Sequence, residues 1–149
     1  MSKKYLLPNK TTLYSILIGF LTKNGKKSSA IKILNTAFLK VSKKTNLSTR
    51  QIFLKLFLRL NSFVEVRKIK IRKKTFFVPF PTVLKRRLYL TMKWLIEASK
   101  QNNKKISLSD KLAFEIEQTL TTDNSNSIKI FKNNLELALK NRSNLHYRW

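Results

Sequence analysis

The chain of 149 residues has no cysteine, one histidine, two glycines and three prolines. Without cysteine it cannot form disulfides, thiolate metal sites or a cysteine nucleophile, and one histidine cannot supply a zinc finger. Two glycines are too few for a glycine-rich loop that cradles phosphate. No run approaches the roughly 18 consecutive apolar residues of a membrane-spanning helix. We therefore predict no metal site, no cofactor and no membrane span.

Acidic residues are also scarce, because 7 Asp and Glu stand against 32 Lys and Arg, a formal net charge of +25. Such a chain repels itself unless an anionic partner screens its charge. Nucleic acid is the first candidate for that partner. An anionic membrane surface is the second, but the apolar residues are spread over several helical periods instead of one surface-lying helix. We predict a nucleic-acid partner and no membrane.

The few acids and the single histidine argue against catalysis. Only Glu115 and Glu117 are close in sequence, and two positions apart on a helix they point to different faces. His146 is the only histidine, and a lone imidazole is more often a hydrogen-bonding surface group than a catalyst. Because no nucleophile, base and orienting group occur together, we predict that the chain is not an enzyme.

Residues 64–80 are predicted to form a β-hairpin. In the first arm, β-branched apolar residues alternate with basic ones, which is typical of a two-faced strand. A basic tip from Arg72 to Lys74 leads into a second short arm. Pro79 and Pro81 are expected to end that arm, because proline cannot donate to a sheet ladder.

After the hairpin the apolar period becomes helical, and one predicted face contains Leu84, Leu88, Thr91, Leu95 and Ala98. This long helix begins with the cations Lys85, Arg86 and Arg87. Trp94 lies one position off the apolar face, and we expect it in the core or at an interface instead of on a stacking platform. A basic hairpin followed by a basic helix is a surface suited to polyphosphate.

Five further helices follow from periodicity and capping signals. Two are predicted at Thr11–Lys23 and Ile128–Asn141, and three begin behind the N-cap serines Ser28, Ser48 and Ser107. Gly25 is expected to end the first helix in the left-handed conformation. The last helix is expected to turn Phe131, Leu135, Ala138 and Leu139 inward.

The predicted fold class is mainly α: a single domain over residues 1–149, with about six helices and one basic β-hairpin between the third and fourth helices. A short basic arm (residues 1–10) precedes the helices, and an aperiodic C-terminal tail (residues 142–149) follows them.

Four segments carry a family resemblance: NGKKSSA at 24–30, FVEVRKIKIRKKTFFVP at 63–79, KRRLYLTMKWLIEASK at 85–100 and HYRW at 146–149. In order and spacing they resemble small ribosomal subunit protein seven of the bacterial type, over nearly the whole chain. The paired glycines of that family's hairpin tip are Arg72 and Lys73 here, which puts the tight turn in doubt.

The resemblance implies a structural protein that binds the 3′ major domain of the small-subunit rRNA and nucleates assembly of the subunit head. Its hairpin and C-terminal tail would lie near the exit-site tRNA and the mRNA exit path. Its protein partners would be head proteins and the platform neighbour, ribosomal protein eleven. A DNA-binding architectural protein is the alternative that the charge alone leaves open.

Lysine outnumbers arginine 24 to 8, as in proteins encoded by A+T-rich genomes. Together with the departures from the bacterial pattern, this bias predicts a mitochondrially encoded member located in the mitochondrial matrix, in preference to a plastid or a bacterial cytoplasm.

The candidate site residues form two sets. Those predicted to bind rRNA are Lys3, Lys4, Lys10, Lys26, Lys27, Arg67, Lys68, Lys70, Lys85, Arg86, Arg87, Lys93, Lys129 and Lys132. Those that the resemblance implies to lie near tRNA and mRNA are Arg72, Lys73, Lys74, Tyr147, Arg148 and Trp149.

Overall fold

The computed structural model describes residues 10–101 and 106–148, with side chains described from Leu13 onward. Its elements are α1 (Lys10–Leu21), α2 (Lys27–Thr45), α3 (Thr49–Leu60), β1 (Val64–Ile71), β2 (Lys74–Pro81), α4 (Leu84–Gln101), α5 (Leu108–Thr121), α6 (Asn126–Lys140) and a C-terminal 3-10 helix (Arg142–Tyr147). The predicted class, mainly helical with a hairpin between the third and fourth helices, is confirmed.

Serine side chains begin three of these helices. Ser48 forms a capping box with Gln51, since each side chain accepts a hydrogen bond from the backbone amide of the other. Ser107 and Ser125 accept hydrogen bonds from the amides of Asp110 and Ile128 in the same way. Such a cap typically contributes about 1 kcal/mol. The predicted caps at Ser48 and Ser107 are confirmed.

The predicted cap at Ser28 is wrong. Helix α2 begins at Lys27, its N-cap residue is Lys26, and no side chain caps it. Asn24 and Gly25 both have positive φ, 51° and 72°, so the reversal after α1 is already complete before Lys26. Ser28 therefore lies inside the first turn, and the predicted left-handed conformation of Gly25 is confirmed.

Apolar side chains from α1 to α5 share one core, in which α4 is central. The described core members with the least exposure include Leu17, Leu34, Ala37, Ile52, Leu56, Met92, Leu95, Leu112 and Ile116. Two of its rings, Phe38 and Phe53, lie 4.7 Å apart between α2 and α3. Burial of this kind supplies most of the stability of a helical domain.

Helix α4 is buried around most of its circumference, not along one stripe. Leu90, Met92 and Trp94 are buried in addition to the predicted Leu88, Thr91, Leu95 and Ala98. The prediction that Trp94 is a core residue is confirmed, and its ring lies 6.0 Å from that of Phe131 on α6. Leu84, predicted on the buried face, is exposed because it occupies the first position of the helix, beyond the core.

Helix α6 lies at the surface, and its most extensive contacts are with α4 and β1. Phe131, Leu135 and Ala138 are half-buried, as their predicted inward face suggests. Leu139 was also predicted to point inward, and this is wrong. Its side chain is 72% exposed, because it lies outside the face of α6 that packs against α4 and β1.

The hairpin has a tight tip without glycine. Strands β1 and β2 pair antiparallel from Val64 opposite Pro81 to Ile71 opposite Lys74, which leaves only Arg72 and Lys73 in the turn. Arg72 takes the left-handed conformation, with φ 53°. A residue with a Cβ typically loses about 1–2 kcal/mol there. The turn is thus as tight as a two-residue glycine turn, but it is formed without glycine.

The prediction that Pro79 and Pro81 end the second arm is wrong for Pro79, because β2 continues through it, and is confirmed for Pro81, which is the last residue of the strand. In an antiparallel pair, the backbone groups of alternate residues point away from the partner strand. Phe77 and Pro79 occupy such positions, since their carbonyls accept hydrogen bonds from Asn144 and Arg148 in the C-terminal segment. Proline at these positions removes no bond of the ladder.

Candidate nucleic-acid interface

The acids are concentrated in the second half of the chain. Residues 1–64 contain no Asp or Glu, whereas they contain thirteen Lys and Arg. In the described residues, five acids form ion pairs: Asp110 with Lys40, Glu117 with Lys44, Asp123 with Arg59, Glu65 with Arg67 and Arg86, and Glu97 with Lys93. Most cations therefore have no acid beside them.

Seven predicted rRNA-binding residues are exposed and make no ion pair with any acid of the chain: Lys26, Lys27, Lys68, Lys70, Lys85, Lys129 and Lys132. They lie in three places, namely the turn between α1 and α2, the hairpin with the start of α4, and α6. A cation without an intramolecular partner retains its full charge for phosphate.

Backbone hydrogen bonds fix the turn that carries Lys26 and Lys27. The Lys26 amide donates to Lys23 O at 3.0 Å, and the Lys27 amide donates to Gly25 O at 2.8 Å. The two lysines are therefore held on a defined backbone, although their side chains extend into solvent. This arrangement presents two positive charges beside the beginning of α2.

The hairpin combines cations with aromatic rings. The Arg67 guanidinium lies 5.1 Å from the Phe80 ring centroid, and the Lys68 ammonium lies 5.4 Å from that of Phe77. These contacts orient the cations without neutralising them. The tip residues Arg72, Lys73 and Lys74 are exposed as well. Because successive side chains of a strand alternate, the hairpin presents cations on both faces and at its tip.

Glu65 is the one acid on the hairpin, and it joins β1 to α4. Its carboxylate accepts hydrogen bonds from Arg86 Nε at 3.0 Å and from Arg86 Nη2 at 2.5 Å, with Arg67 at 3.4 Å. The hydrogen bond from Arg86 lowers the pKa of Glu65 although burial opposes this shift. The same bond raises the pKa of Arg86. A bidentate pair of this kind sets orientation as well as energy.

Arg87 also has an internal role. Its Nε donates to Thr82 O at 2.9 Å, and its guanidinium lies 4.1 Å from the Phe63 ring centroid. Thr82 in turn closes the base of the hairpin, because its amide donates to Phe63 O at 2.9 Å. The structure therefore brings Lys85, Arg86 and Arg87 together but uses both arginines to seat the hairpin. Lys85 is exposed at the first turn.

Lys93 differs from the other predicted rRNA-binding residues. It is half-buried and pairs with Glu97, one turn further along α4, at 3.7 Å. An exposed pair of this spacing contributes only about 0.3–0.5 kcal/mol, so Lys93 can still exchange its partner for a phosphate.

The C-terminal 3-10 helix, where an aperiodic tail was predicted, lies against β2. The Tyr147 ring is 4.8 Å from that of Phe76, and Arg148 Nε donates to Pro79 O at 2.8 Å. Tyr147 and Arg148 are thus brought to the same hairpin as Arg72, Lys73 and Lys74. Trp149, Lys3, Lys4 and the side chain of Lys10 lie outside the described residues, as does the rest of the predicted basic arm.

Two acids, Glu115 and Glu65, have structural roles that were not predicted from the sequence. Glu115 is 0% exposed, and its Oε1 accepts hydrogen bonds from the amide and hydroxyl of Ser127 at 2.8 and 2.7 Å. Glu117 faces the surface and pairs with Lys44, so the prediction that these two acids point to different faces is confirmed. For Glu65, the sequence signal that could have indicated a structural role was its position as the one acid among the cations of residues 64–80.

The described ranges 10–101 and 106–148 contain no cluster of three or more His, Cys, Asp or Glu that could hold a metal ion. Their helices include none with the length and apolarity needed to cross a membrane.

Comparisons with known proteins agree on one family. The family model described as ribosomal protein S7p/S5e matches residues 3–142. The chain is 32% identical to the small ribosomal subunit protein uS7 of Wigglesworthia glossinidia brevipalpis, over 100% of this chain and 96% of that protein. It is 31% identical to the protein of the same name from Prochlorococcus marinus, over 99% and 95%, and 31% identical to that from an Anaeromyxobacter species, over 100% and 96%.

Proposed function

This chain belongs to the ribosomal protein S7p/S5e family, and on that premise we propose that it is a structural constituent of the small ribosomal subunit. Its partners are the small-subunit rRNA and neighbouring subunit proteins. In finer detail, it binds the 3′ major domain of that rRNA and nucleates assembly of the subunit head. The proposal includes no catalytic step and no cofactor, and it treats residues 1–149 as one rRNA-binding domain.

The observation that carries rRNA binding is the separation of charge across the fold. The seven unpaired lysines defined above are exposed in three places, while five of the acids are already paired with other cations. Structured RNA is recognised mainly through its shape, phosphates and 2′-hydroxyl groups. Lysines spread over several surface elements suit contacts to phosphates from more than one RNA helix.

The predicted tRNA and mRNA contacts fall on one part of the molecule. We propose that the tip, Arg72 to Lys74, and the adjoining Tyr147 and Arg148 lie near the exit-site tRNA and the mRNA exit path. The support is that the C-terminal segment rests on β2 through Asn144 and Arg148. The hairpin and tail thus form one surface. The chain also contacts the platform neighbour, ribosomal protein eleven.

The cellular location is a separate proposal. We place the chain in the small ribosomal subunit of the mitochondrial matrix, because 24 of its 32 cations are lysine and its hairpin tip lacks the family's glycines. Separation of organelles from the source cells, followed by detection of the chain in their ribosomal fractions, tests this placement. Recovery only in cytoplasmic or plastid ribosomes would refute it.

The decisive experiment for rRNA binding is a competition assay. The chain is bound to a transcript of the 3′ major domain at near-physiological salt, and unrelated structured RNA or duplex DNA is added as competitor. We expect a preference of at least about 100-fold, which corresponds to about 2.7 kcal/mol. Salt dependence is recorded in parallel, because each phosphate contact steepens it.

The outcomes separate the proposal from its alternatives. Equal binding to all three nucleic acids would reduce the chain to a general polycation and refute rRNA recognition. A preference for duplex DNA would favour the architectural DNA-binding alternative instead.

A further inference from the structure

A largely apolar groove between α2 and α5 has a volume of about 500 Å³. Its floor includes the buried side chains of Val41 and Ala113. At its edge, Phe114 is 39% exposed and Ile106 is 49% exposed. A cavity of this size accommodates several side chains of a binding partner.

The rim of this groove carries charges of both signs. Lys40 pairs with Asp110, and Lys44 pairs with Glu117 at 2.8 Å, so two ion pairs join α2 to α5. Lys43 and Lys111 also line the groove and make no ion pair with any acid of the chain. Asp110 stays ionised readily, because hydrogen bonds from Lys40 and Ser107 lower its pKa. The rim therefore has two fixed carboxylates and two unpaired cations.

We propose that this groove binds a segment of another small-subunit protein, in which an apolar side chain is flanked by aspartate or glutamate. The inference rests on the proposed function, and it assigns this face to protein instead of to rRNA. The apolar side chain would cover Phe114 and Ile106, and the flanking carboxylate would meet Lys43 or Lys111.

The apolar floor favours a protein segment over RNA, because a phosphate chain that crossed the groove would gain nothing from Val41, Ala113 and the exposed part of Phe114. The two unpaired lysines then favour an acidic segment, since Asp110 and Glu117 are already paired with Lys40 and Lys44. Exposed apolar side chains within a polar rim are typical of protein–protein interfaces.

Site-specific photocrosslinking in assembled small subunits tests the assignment. Phe114→p-benzoylphenylalanine places an aromatic crosslinker of similar shape at the groove. The matched control, Lys27→p-benzoylphenylalanine, places it on the turn proposed to bind rRNA. After irradiation, nuclease and protease treatment distinguish crosslinks to RNA from crosslinks to protein, and mass spectrometry identifies the attached peptide.

We expect position 114 to crosslink to a subunit protein, through a peptide that has an Asp or Glu near an apolar residue, while position 27 crosslinks to rRNA. Adding Lys43→Glu and Lys111→Glu should reduce the protein crosslink at least about tenfold, equivalent to about 1.4 kcal/mol of binding. The crosslink of position 27 should be unchanged in that background.

Three results would overturn the assignment: a crosslink from position 114 to rRNA, a crosslink to a second copy of this chain, or no crosslink to protein in subunits that contain the chain. Failure of the proposed function is recognised separately, because the unmodified chain would then be absent from small subunits on sedimentation. That result would overturn both proposals.

Discussion

Replacing Glu65 by glutamine tests whether one carboxylate seats the basic hairpin on α4. The change keeps the shape of the side chain and one hydrogen-bond acceptor but removes the charge that holds Arg86 and Arg67. Charge-assisted hydrogen bonds typically contribute about 1.5–3 kcal/mol. The Glu65 side chain is only 12% exposed, but that of Arg86 is 41% exposed, so solvent screens the pair. We therefore expect Glu65→Gln to lower the free energy of unfolding by about 1–2 kcal/mol at neutral pH.

The pH dependence of this loss is the sharper measurement. Because the pKa of Glu65 is lowered in the folded chain, its stabilisation is complete above the unfolded pKa, about 4.3. It disappears as the pH falls through the lower folded pKa. Urea unfolding at pH 7, 5, 4 and 3 should show a constant difference between Glu65→Gln and the unmodified chain at the two higher values and a shrinking difference below them.

The control is Glu136→Gln, since Glu136 is exposed and makes no ion pair with the described cations. Its effect should stay within about 0.5 kcal/mol at every pH. Equal effects of the two substitutions at neutral pH would refute the seating role of Glu65. A difference that persisted undiminished to pH 3 would show that the charge of Glu65 is not responsible for it.

Three further predictions concern the surface, the core and the hairpin tip. The triple change Lys68→Ala, Lys70→Ala and Lys85→Ala should weaken rRNA binding in a filter-binding assay and reduce its salt slope by about one per lost contact. The matched control replaces the exposed Lys32, Arg50 and Lys55 by alanine and should have neither effect. Equal losses of binding for the two triple variants would contradict the proposed surface. Glu115→Ala should lower the free energy of unfolding by about 2–4 kcal/mol, because it leaves the buried amide and hydroxyl of Ser127 without a hydrogen-bond acceptor. Glu115→Gln should lower that free energy clearly less. Similar urea midpoints for the two variants would refute this account. Arg72→Gly should raise the thermal midpoint, because φ 53° costs an arginine about 1–2 kcal/mol, while Lys73→Gly should lower it; a decrease for both would mean that the tip is not strained.

The choice of Lys85 without its two neighbours follows from the fold. From the sequence, Lys85, Arg86 and Arg87 were predicted to bind phosphate together. Arg86 binds Glu65, and Arg87 binds the carbonyl of Thr82. Removing all three would therefore unseat the hairpin as well as delete charge, and a loss of RNA binding would have two causes. Their predicted role in rRNA binding is compatible with these bonds, because each guanidinium has five donors.

The elements that were predicted correctly depend on neighbours in sequence. Helix periodicity, the capping box of Ser48 with Gln51, the left-handed Gly25 and the alternation of β1 all arise between residues at most four positions apart. The large excess of cations is likewise a property of composition, and it limits the partners of any fold that the chain adopts. These local and compositional features are sufficient to specify a mainly helical, basic protein.

Which of those cations remain unpaired was decided only by the tertiary structure. Arg86 meets Glu65 across 21 positions, Arg148 meets Pro79 across 69, and Ser127 meets Glu115 across 12. Leu139 is exposed and Pro79 lies within a strand, and both outcomes depend on which elements pack beside these residues in space. Such partners are set by how the helices and the hairpin pack in space, and the spacing of residues along the chain contains no signal for them.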